Sequence, residues 1–516
     1  MRKRQIKILL KVLLALFVLF FALLLFERVR GQISLVRYKQ KLIRKGEKLT
    51  PGDFRSPHSE ADNGAPAVAE AIERLREGAV LPKHYPPRMK LTVSGRAIIG
   101  FRESEWVEDK ITNHWDQLAS DLKTNEATLA ELQSALAKPV LNNNLDLAQG
   151  IKMEFPHLWR GKTLAHWFAS GAQLALREGR LHDASRELVS EISLPRLMAE
   201  DHIAISELVR IAVAAVAKAD TWEALQANGW TDEDLVALQK AWENHDFAGG
   251  MAQSLEGERV FCDSCAELLR ASNSDAFDAM FGPGSTFVAA FSGAEFENSS
   301  WERFLESLPY GEQIADFARK QIYCRIWRFS WSHQAQLRDA QNLQGLIDLG
   351  RVGAQGKYYQ TIEDALDKLL TKTRVKTFYD RLRYPGPDTL GTLSKTILKA
   401  MQTETDRSLT LCAIALKRHL TRHGRLPATL DALVPDFLPA VLVDYMDGKP
   451  MKYRLNTDGT FTLYSVGGDG KDDGGDAALL DGRKSTRSLW ARKDFVWPAP
   501  ALPEEIETYR KEAAKN

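Results

Sequence analysis

Residues 162–198 read KTLAHWFASGAQLALREGRLHDASRELVSEISLPRLM, and this stretch decides the fold class. Apolar side chains recur three or four positions apart, as at Leu181, Ala184 and Leu188, and Gly179 separates two such runs. That spacing is typical of amphipathic helices, and glycine marks the turn between them. The stretch therefore predicts a helical hairpin similar to the tetratricopeptide type. Because no repeat of about 34 residues is sustained, we expect an irregular helical array.

Helical patterns fill most of the remaining chain. They run from about residue 116 to 274, resume after a glycine-rich break, and end with TDRSLTLCAIALKRHLTRHG at Gly424. Beyond it, the alternating runs MKYRL and FTLYSV flank an Asp-Gly pair, which predicts a β-hairpin. We therefore predict a mainly α fold with an N-terminal transmembrane helix, an irregular helical-hairpin domain and a small C-terminal α+β module. The predicted parts are a head and anchor (1–30), juxtamembrane helices and an irregular excursion (31–110), the helical domain (111–395), the module (396–500) and a polar tail (501–516).

The N-terminus contains VLLALFVLFFALLLF, which is free of charge from Val12 to Phe26. Counted from Ile8, about 19 residues at about 1.5 Å each can cross a hydrocarbon core of about 30 Å. Glu27 and Arg28 follow, where a cleavable signal would have small residues. We predict an uncleaved signal anchor of a single-pass protein in the cytoplasmic (inner) membrane. A short basic head usually stays in the cytoplasm, so we expect the bulk of the chain outside it.

The overall composition does not indicate a particular binding partner. Lys and Arg number 69 against 68 Asp and Glu, a formal charge of +1, which argues against a nucleic-acid partner. The four cysteines are too few for a disulfide scaffold. Cys262 and Cys265 form a CxxC pair without the second pair that a zinc site needs, which favours a structural role.

Near the C-terminus, residues 463–476 read LYSVGGDGKDDGGD. Asp469, Asp472, Asp473 and Asp476 lie within eight residues, and the intervening glycines permit the positive φ angles that turn carboxylates inward. Calcium accepts six to eight such oxygens with flexible geometry. From the residues alone, a solvated acidic turn remains the alternative.

The residues around this loop resemble the C-terminal part of the major pseudopilin of type II secretion systems. The shared pattern is a helix ending in hGxyP, then LxxLvP, a DpwgxPyxY turn, a strand ending in ySxGxDGxxGG and a closing DIxxW. The matching positions here are Gly424 and Pro427, Leu430 and Leu433, Asp444, Gly448, Pro450 and Tyr453, Leu463 to Gly475, and Asp494 with Trp497. The resemblance implies a pseudopilin-like module that binds calcium through Asp469, Asp472, Asp473 and Asp476, with Asp494 and the backbone near Leu463 and Ser465. The link between Asp476 and Asp494 is longer than in that family, and the N-terminus lacks the pilin processing site, which argues against membership of a pseudopilus.

Most of the chain also resembles a membrane-anchored, uncharacterised family of Planctomycetes and Verrucomicrobia. The matching motifs are KGEKL at 45–49, LALREGRLHDA at 174–184, LVRIAV at 208–213, LEGER at 255–259 and WRFSWSHQ at 327–334. This likeness implies an architecture and a source, and no activity.

Other candidate sites favour ordinary explanations. His419 and His423 lie one helical turn apart without the glutamate of zinc hydrolases, so we expect them at a solvent-facing helix end. The aromatic pair Trp327 and Trp331 predicts core packing. Ser285 follows glycines but lacks a GxSxG context. The acidic pair on the central hairpin, Glu187 and Glu191, is interpreted as a solvated face.

No catalytic set converges in the sequence. We therefore expect a membrane-anchored extracytoplasmic structural or binding protein with a calcium-stabilised C-terminal module and an envelope protein partner. The alternatives are an envelope hydrolase and an accessory component of a secretion or pilus-like apparatus. A hydrolase would gather His166, His202 and Glu207 with the loops near residues 80–106 and 282–298.

Overall fold

The computed structural model describes residues 2–108, 110–272, 317–385, 389–480 and 489–513, together with residues 277, 310 and 313. The fold is mainly α, as predicted. The loop at 282–298 and Ser285 lie outside the described residues.

The helices are, in chain order, α1 (Arg2–Arg44), α2 (Ala65–Ile72), α3 (Trp115–Thr124), α4 (Glu126–Leu136), α5 (Pro156–Arg177), α6 (Leu181–Ser193), α7 (Ala204–Leu225), α8 (Asp232–Glu243), α9 (Phe247–Ala271), α10 (Ser332–Ala354), α11 (Tyr359–Thr373), α12 (Phe378–Arg383), α13 (Thr389–His423) and α14 (Pro503–Ala513). Wide helical turns at Ala318–Tyr323 and Trp327–Trp331 flank Cys324–Ile326 and continue directly into α10. The strands are β1 (Lys90–Val93), β2 (Arg96–Ile98), β3 (Trp106–Glu108), β4 (Ile111–Asn113), β5 (Val443–Asp444), β6 (Lys449–Pro450), β7 (Lys452–Leu455), β8 (Phe461–Ser465), β9 (Phe495–Val496) and β10 (Ala499–Pro500).

The stretch at 162–198 forms the predicted helical hairpin. Helix α5 ends at Arg177, Gly179 has a φ of 72°, and α6 begins at Leu181. A positive φ of this kind suits glycine, which has no Cβ to clash with the following carbonyl. Leu188 and Ala184 of α6 are fully buried against α5 and α7.

One helix, α1, is long and apolar enough to cross a membrane among the described residues, within Gln5–Arg44. Its second half is docked on the body rather than extended away from it. A buried stripe, which faces α10 and the turn before it, consists of Leu24, Glu27, Gly31, Leu35 and Leu42. The spacing of three, four and seven residues keeps one face of a helix against its neighbour.

The C-terminal strands pair with each other and with the N-terminal part of the chain. Strands β7 and β8 form the predicted antiparallel hairpin, with Lys452 opposite Tyr464, and β9 adds to β8. Strand β10 joins β2 in parallel and completes a three-stranded sheet with β1. Helix α13 crosses the boundary predicted at residue 395, and one continuous hydrophobic core extends from Ala65 to Trp497.

Candidate functional site

A polar cleft of about 610 Å³ opens on the helical body. Small-molecule sites commonly enclose about 300–1,000 Å³. The lining comes from the first turns of α2 and α5 and from the connection between α4 and α5: Ala65, Pro66, Ala69, Asn142, Asn143, Asn144, Leu145, Asp146, Gln149, Lys152, Met153, Glu154, Pro156, His157 and Arg160. We call this feature the asparagine cleft, after the run at 142–144.

The back of the cleft holds a buried His–Asp pair. His157 Nε2 lies 2.6 Å from Asp201 Oδ2, and both side chains are more than nine-tenths buried. Asn143 donates from Nδ2 to Asp201 Oδ1 at 3.2 Å and to the carbonyl of Leu197 at 2.6 Å. Asp201 is therefore held by Asn143 and in turn holds the imidazole of His157. The other ring nitrogen, Nδ1, has no hydrogen bond to any other described residue.

A second set of amide contacts shapes the loop in front of this pair. Asn63 and Asn142 bond each other reciprocally: Asn63 Nδ2 donates to the Asn142 carbonyl at 2.7 Å, and the Asn142 N–H donates to Asn63 Oδ1 at 3.0 Å. Asn142 also donates to Glu200 at 2.9 Å. Asn144 is exposed and has a φ of 53°, a left-handed conformation that asparagine tolerates better than most residues. The loop is thus held by side chains while its tip stays open.

Side chains of both charge signs line the cleft, and one of them, Arg160, contacts an exposed aromatic ring. Lys152 is exposed and has no ion pair with another described residue. Arg160 pairs with Glu73 at 2.7 Å, and its guanidinium lies 5.6 Å from the ring centre of Trp159. Trp159 is 55% exposed, which is unusual for so large an apolar side chain.

The buried carboxylate of Asp494 organises the predicted calcium loop. Its oxygens accept the backbone N–H groups of Gly475 at 2.7 Å, Asp476 at 3.0 Å and Asp473 at 3.4 Å. Burial raises the pKa of Asp494, and these three N–H bonds oppose that rise. The loop is therefore wrapped around one carboxylate.

The other predicted ligands point to separate partners. Asp472 accepts from the Tyr464 hydroxyl at 3.0 Å, Asp476 pairs with Lys493 at 2.9 Å, and Asp469 accepts from the Lys471 N–H at 3.1 Å. The ion pair with Lys493 lowers the pKa of Asp476.

The two predicted backbone positions are also engaged in the sheet and the core. Ser465 donates from Oγ to Asp444 at 2.9 Å, and the Leu463 carbonyl accepts from the Trp497 N–H at 2.8 Å. Among the described residues, no three His, Cys, Asp or Glu side chains lie close enough to hold a metal ion. In this arrangement the predicted ligands do not form a calcium cage.

The three residues named for a hydrolase site have separate environments. His166 is stacked on Tyr85 at 3.9 Å and bonded to Arg88, and burial lowers its pKa to about 3. Glu207 is buried beside Arg210 at 2.9 Å, whereas His202 packs against Phe54 with its pKa lowered by burial. None of the three lines the asparagine cleft.

The interpretation of Glu191 as part of a solvated face is wrong. Its side chain is fully buried, and burial together with the nearby Asp220 raises its pKa well above the usual range. Asp220 is likewise buried and accepts hydrogen bonds from Gln173 at 2.9 Å and Arg88 at 3.4 Å. The charge of Glu191 suggested a solvent-exposed position. The residues that bury it, such as Asp220, come from other elements and leave no signal in the local sequence.

The remaining candidates are structural. Trp327 and Trp331 are buried, which confirms core packing. Burial raises the pKa of Cys262 and raises that of Cys265 to about 12, so neither thiol is activated. His419 and His423 lie 4.4 Å apart between ring centres at the end of α13, where His419 bonds the Arg425 carbonyl.

The cleft is not predictable from the sequence, because its walls come from residues distant in the chain. The run of three asparagines followed by a proline-led helix with His157 was the available signal. Searches for similar proteins add no identification, since no protein-family model, curated protein or solved structure matches this chain.

Proposed function

We propose that this chain is a membrane-anchored, extracytoplasmic binding protein whose asparagine cleft takes a small hydroxyl-rich ligand of the saccharide class. The observation that carries the proposal is the cleft itself: a preformed polar cavity supported by the His157–Asp201 pair on a body docked to an apolar helix. The dispersal of His166, His202 and Glu207 favours binding over catalysis.

The side chains of the cleft support this ligand class. Asn and Gln each offer both a donor and an acceptor, as a hydroxyl group does, so Asn144 and Gln149 can bond one hydroxyl in either sense. The exposed ring of Trp159, in contact with the lining residue Arg160, offers a flat apolar face for a sugar ring. Lys152 adds a cation that also suits an acidic sugar.

Binding is tested on the full chain in detergent, titrated with N-acetylglucosamine, glucuronic acid and their disaccharides and followed by saturation-transfer NMR. We expect at least one probe to bind, and Asn144→Asp to weaken it about tenfold because a donor is lost and a charge gained. The control is Asn244→Asp, an exposed asparagine after α8 and outside the cleft. Saturation transfer that is unchanged in N144D would contradict the proposal.

A hydrolase is the second candidate, favoured by one observation. His157 bonds Asp201 through Nε2 and leaves Nδ1 without a partner among the described residues, which is how a general base is held. Nitrophenyl esters and glycosides test this. Turnover that disappears in His157→Gln would favour the enzyme, and the absence of turnover with retained saccharide binding would favour the binding protein.

A structural calcium ion in the tail remains a proposal. The positive φ angles of Gly467, Gly470, Gly474 and Gly475 and the four neighbouring aspartates support it. Binding would require the carboxylates to turn away from their present partners. We expect calcium to raise the melting temperature of the full chain; equal shifts with magnesium, or none, would count against it.

The side of the membrane is tested by adding protease to intact cells and to permeabilised cells. Digestion of the body only after the outer layers are opened, with the cytoplasmic membrane still sealed, supports an extracytoplasmic location. Co-purification with an envelope protein would support the expected partner.

A further inference from the structure

Helices α1 and α10 run side by side in the same direction. Near the end of the apolar run, Glu27 accepts from Gln334 Nε2 at 2.5 Å, and a Cβ on Gly31 would lie 2.9 Å from the Gln334 Cγ. Farther along, Glu47 pairs with Arg351 at 2.7 Å. Because residue numbers rise together on the two helices, residues before Ser332 lie toward the apolar half of α1.

The helical turns before α10 reach the level where the apolar run ends. Arg28 donates from Nη1 to the Phe329 carbonyl at 3.2 Å, and its guanidinium lies 4.9 Å from that ring centre. Leu24, inside the apolar run, is buried where α1 packs against Trp327–Trp331. Farther back, from Ile326 to Ala318, the helical path leaves α1, which packs against Trp327–Trp331 and α10 rather than against these earlier turns.

This stretch, residues 317–331, has one packed face and one open face. The packed face carries Cys324, Trp327 and Trp331, all buried in a small aromatic cluster. The open face carries Phe317, which is 61% exposed, and Ile322, which is 53% exposed. Within the part of the chain that the structure describes, no neighbour covers these two large apolar side chains.

The same region is predominantly basic. Residues 317–338 contain five basic residues and no acidic one, and residues 372–383 contain five basic residues and one acidic one. The second segment packs on the first, since the Tyr323 hydroxyl donates to the Leu382 carbonyl and Trp327 Nε1 donates to the Arg383 carbonyl, each at 2.9 Å. Arg325 is exposed and bonds only Gln321 among the described residues.

We propose that residues 317–331 lie in the interfacial layer of the bilayer that α1 crosses, with Phe317 and Ile322 at the acyl boundary and Arg325 on anionic phospholipid headgroups. The inference rests on the proposed anchoring. Aromatic and basic side chains are the residues enriched at that depth of a membrane. The occupant of the open face is the protein's own bilayer, because α1 holds the face at the end of its apolar run.

The test places a fluorescent probe on the open face of the full chain in phosphatidylcholine nanodiscs, with and without phosphatidylglycerol. Ile322→Cys carries an environment-sensitive nitrobenzoxadiazole. The matched control is Val443→Cys, 38% exposed and beside Gly356, just past the far end of α10. The unsubstituted chain is labelled in parallel to correct for its own cysteines. Unchanged melting temperatures show that both variants fold.

We expect spin-labelled lipids to quench the probe at position 322 severalfold more than the probe at 443. We also expect Arg325→Gln to remove the additional quenching that phosphatidylglycerol gives, whereas Arg454→Gln, on β7 of the C-terminal module, leaves it unchanged. Equal quenching at 322 and 443 overturns the inference. A probe at 322 that is shielded from water but not quenched by lipid would indicate a second protein chain and also overturns it.

Alkaline extraction separates this inference from the anchoring proposal. A chain retained in the membrane after extraction, with position 322 unquenched, refutes only the interfacial placement. A chain released by extraction refutes the anchor, and the interfacial placement with it.

Discussion

Asp494 is a single side chain that orders a glycine-rich loop elsewhere in the chain. Glycine-rich segments lose much conformational entropy on folding, about 1–2 kcal/mol per residue, so the loop at 467–476 needs a compensating interaction. Asp494 supplies it through three backbone N–H groups. A charged acceptor makes such hydrogen bonds stronger than a neutral one would.

Replacement of Asp494 by asparagine should destabilise the protein by about 1–3 kcal/mol, because the negative charge is lost and the amide NH₂ faces at least one of the three backbone N–H groups. Denaturant unfolding of the full chain measures the change. Asp469→Asn is the matched control. Among the described residues this aspartate accepts from the Lys471 N–H alone, two positions along the chain, so its replacement should cost less than about 0.5 kcal/mol. Equal losses in the two variants would show that Asp494 does not organise the loop.

Glu191 makes stability depend on pH. Its folded-state pKa is raised above the ordinary 4.5, so the folded protein keeps a proton that the unfolded chain loses. The contribution of Glu191 to stability is therefore fully present below about pH 4.5. It is lost as the pH rises toward the folded-state pKa, by about 1.4 kcal/mol per pH unit for such a group.

Glu191→Gln, which binds no proton, should flatten the decline of unfolding free energy between about pH 5 and pH 8. Glu178→Gln, exposed at the end of α5, should keep the full slope of the unsubstituted protein. A slope that E191Q leaves intact would assign the pH dependence to the other buried acids.

At the scale of elements, the contact between α1 and α10 depends on close approach at Gly31. The Gln334 side chain that it meets is buried and bonded to Glu27, so it has little freedom to move away. The packed stripe therefore joins the apolar helix rigidly to the body.

Gly31→Val should lower the free energy of unfolding by about 1–3 kcal/mol, the usual cost of overpacking. Gly391→Val on α13, where a Cβ meets nothing within 4 Å, should change it by less than about 0.5 kcal/mol. Unfolding in detergent micelles gives both values. Equal changes in the free energy of unfolding for G31V and G391V would show that the close contact between α1 and α10 at Gly31 does not contribute to stability.

Elements with local signals were predictable from the sequence. The hairpin of α5 and α6 follows from its period and Gly179, and the pairing of β7 with β8 follows from alternation around an Asp-Gly turn. The cleft and the placement of Glu191 were not predictable, because each needs partners from distant segments: Asp201 for His157, and Asp220 for Glu191. Charge and polarity in a sequence do not distinguish a solvated face from a buried network.

At the scale of the whole molecule, the sheet of β1, β2 and β10 joins residues 90–98 to residues 499–500, about 400 positions apart. The Ala499 N–H donates to the Gly95 carbonyl at 2.9 Å, the Ala501 N–H donates to the Ala97 carbonyl at 2.8 Å, and Trp222 Nε1 donates to the Pro498 carbonyl at 2.8 Å. Nothing in the local sequence of these short strands predicts a pairing over such a separation.

Ending the chain after Trp497 should remove all three hydrogen bonds and destabilise the body by about 3 kcal/mol, at about 1 kcal/mol for each. Ending it after Leu502 removes α14 but keeps the three bonds, and serves as the control. Thermal unfolding compares the two truncations. Identical melting temperatures would show that β10 is dispensable.

The pairing of β2 with β10 also constrains the order in which the protein is made. The ribosome releases residues 96–98 long before residues 499–500, so the sheet waits for almost the entire chain, and contacts this distant form slowly. If the body crosses the membrane during synthesis, it arrives outside with β2 still unpaired. An exposed strand edge of that kind invites aggregation, which makes the export period the interval in which a chaperone would be needed most.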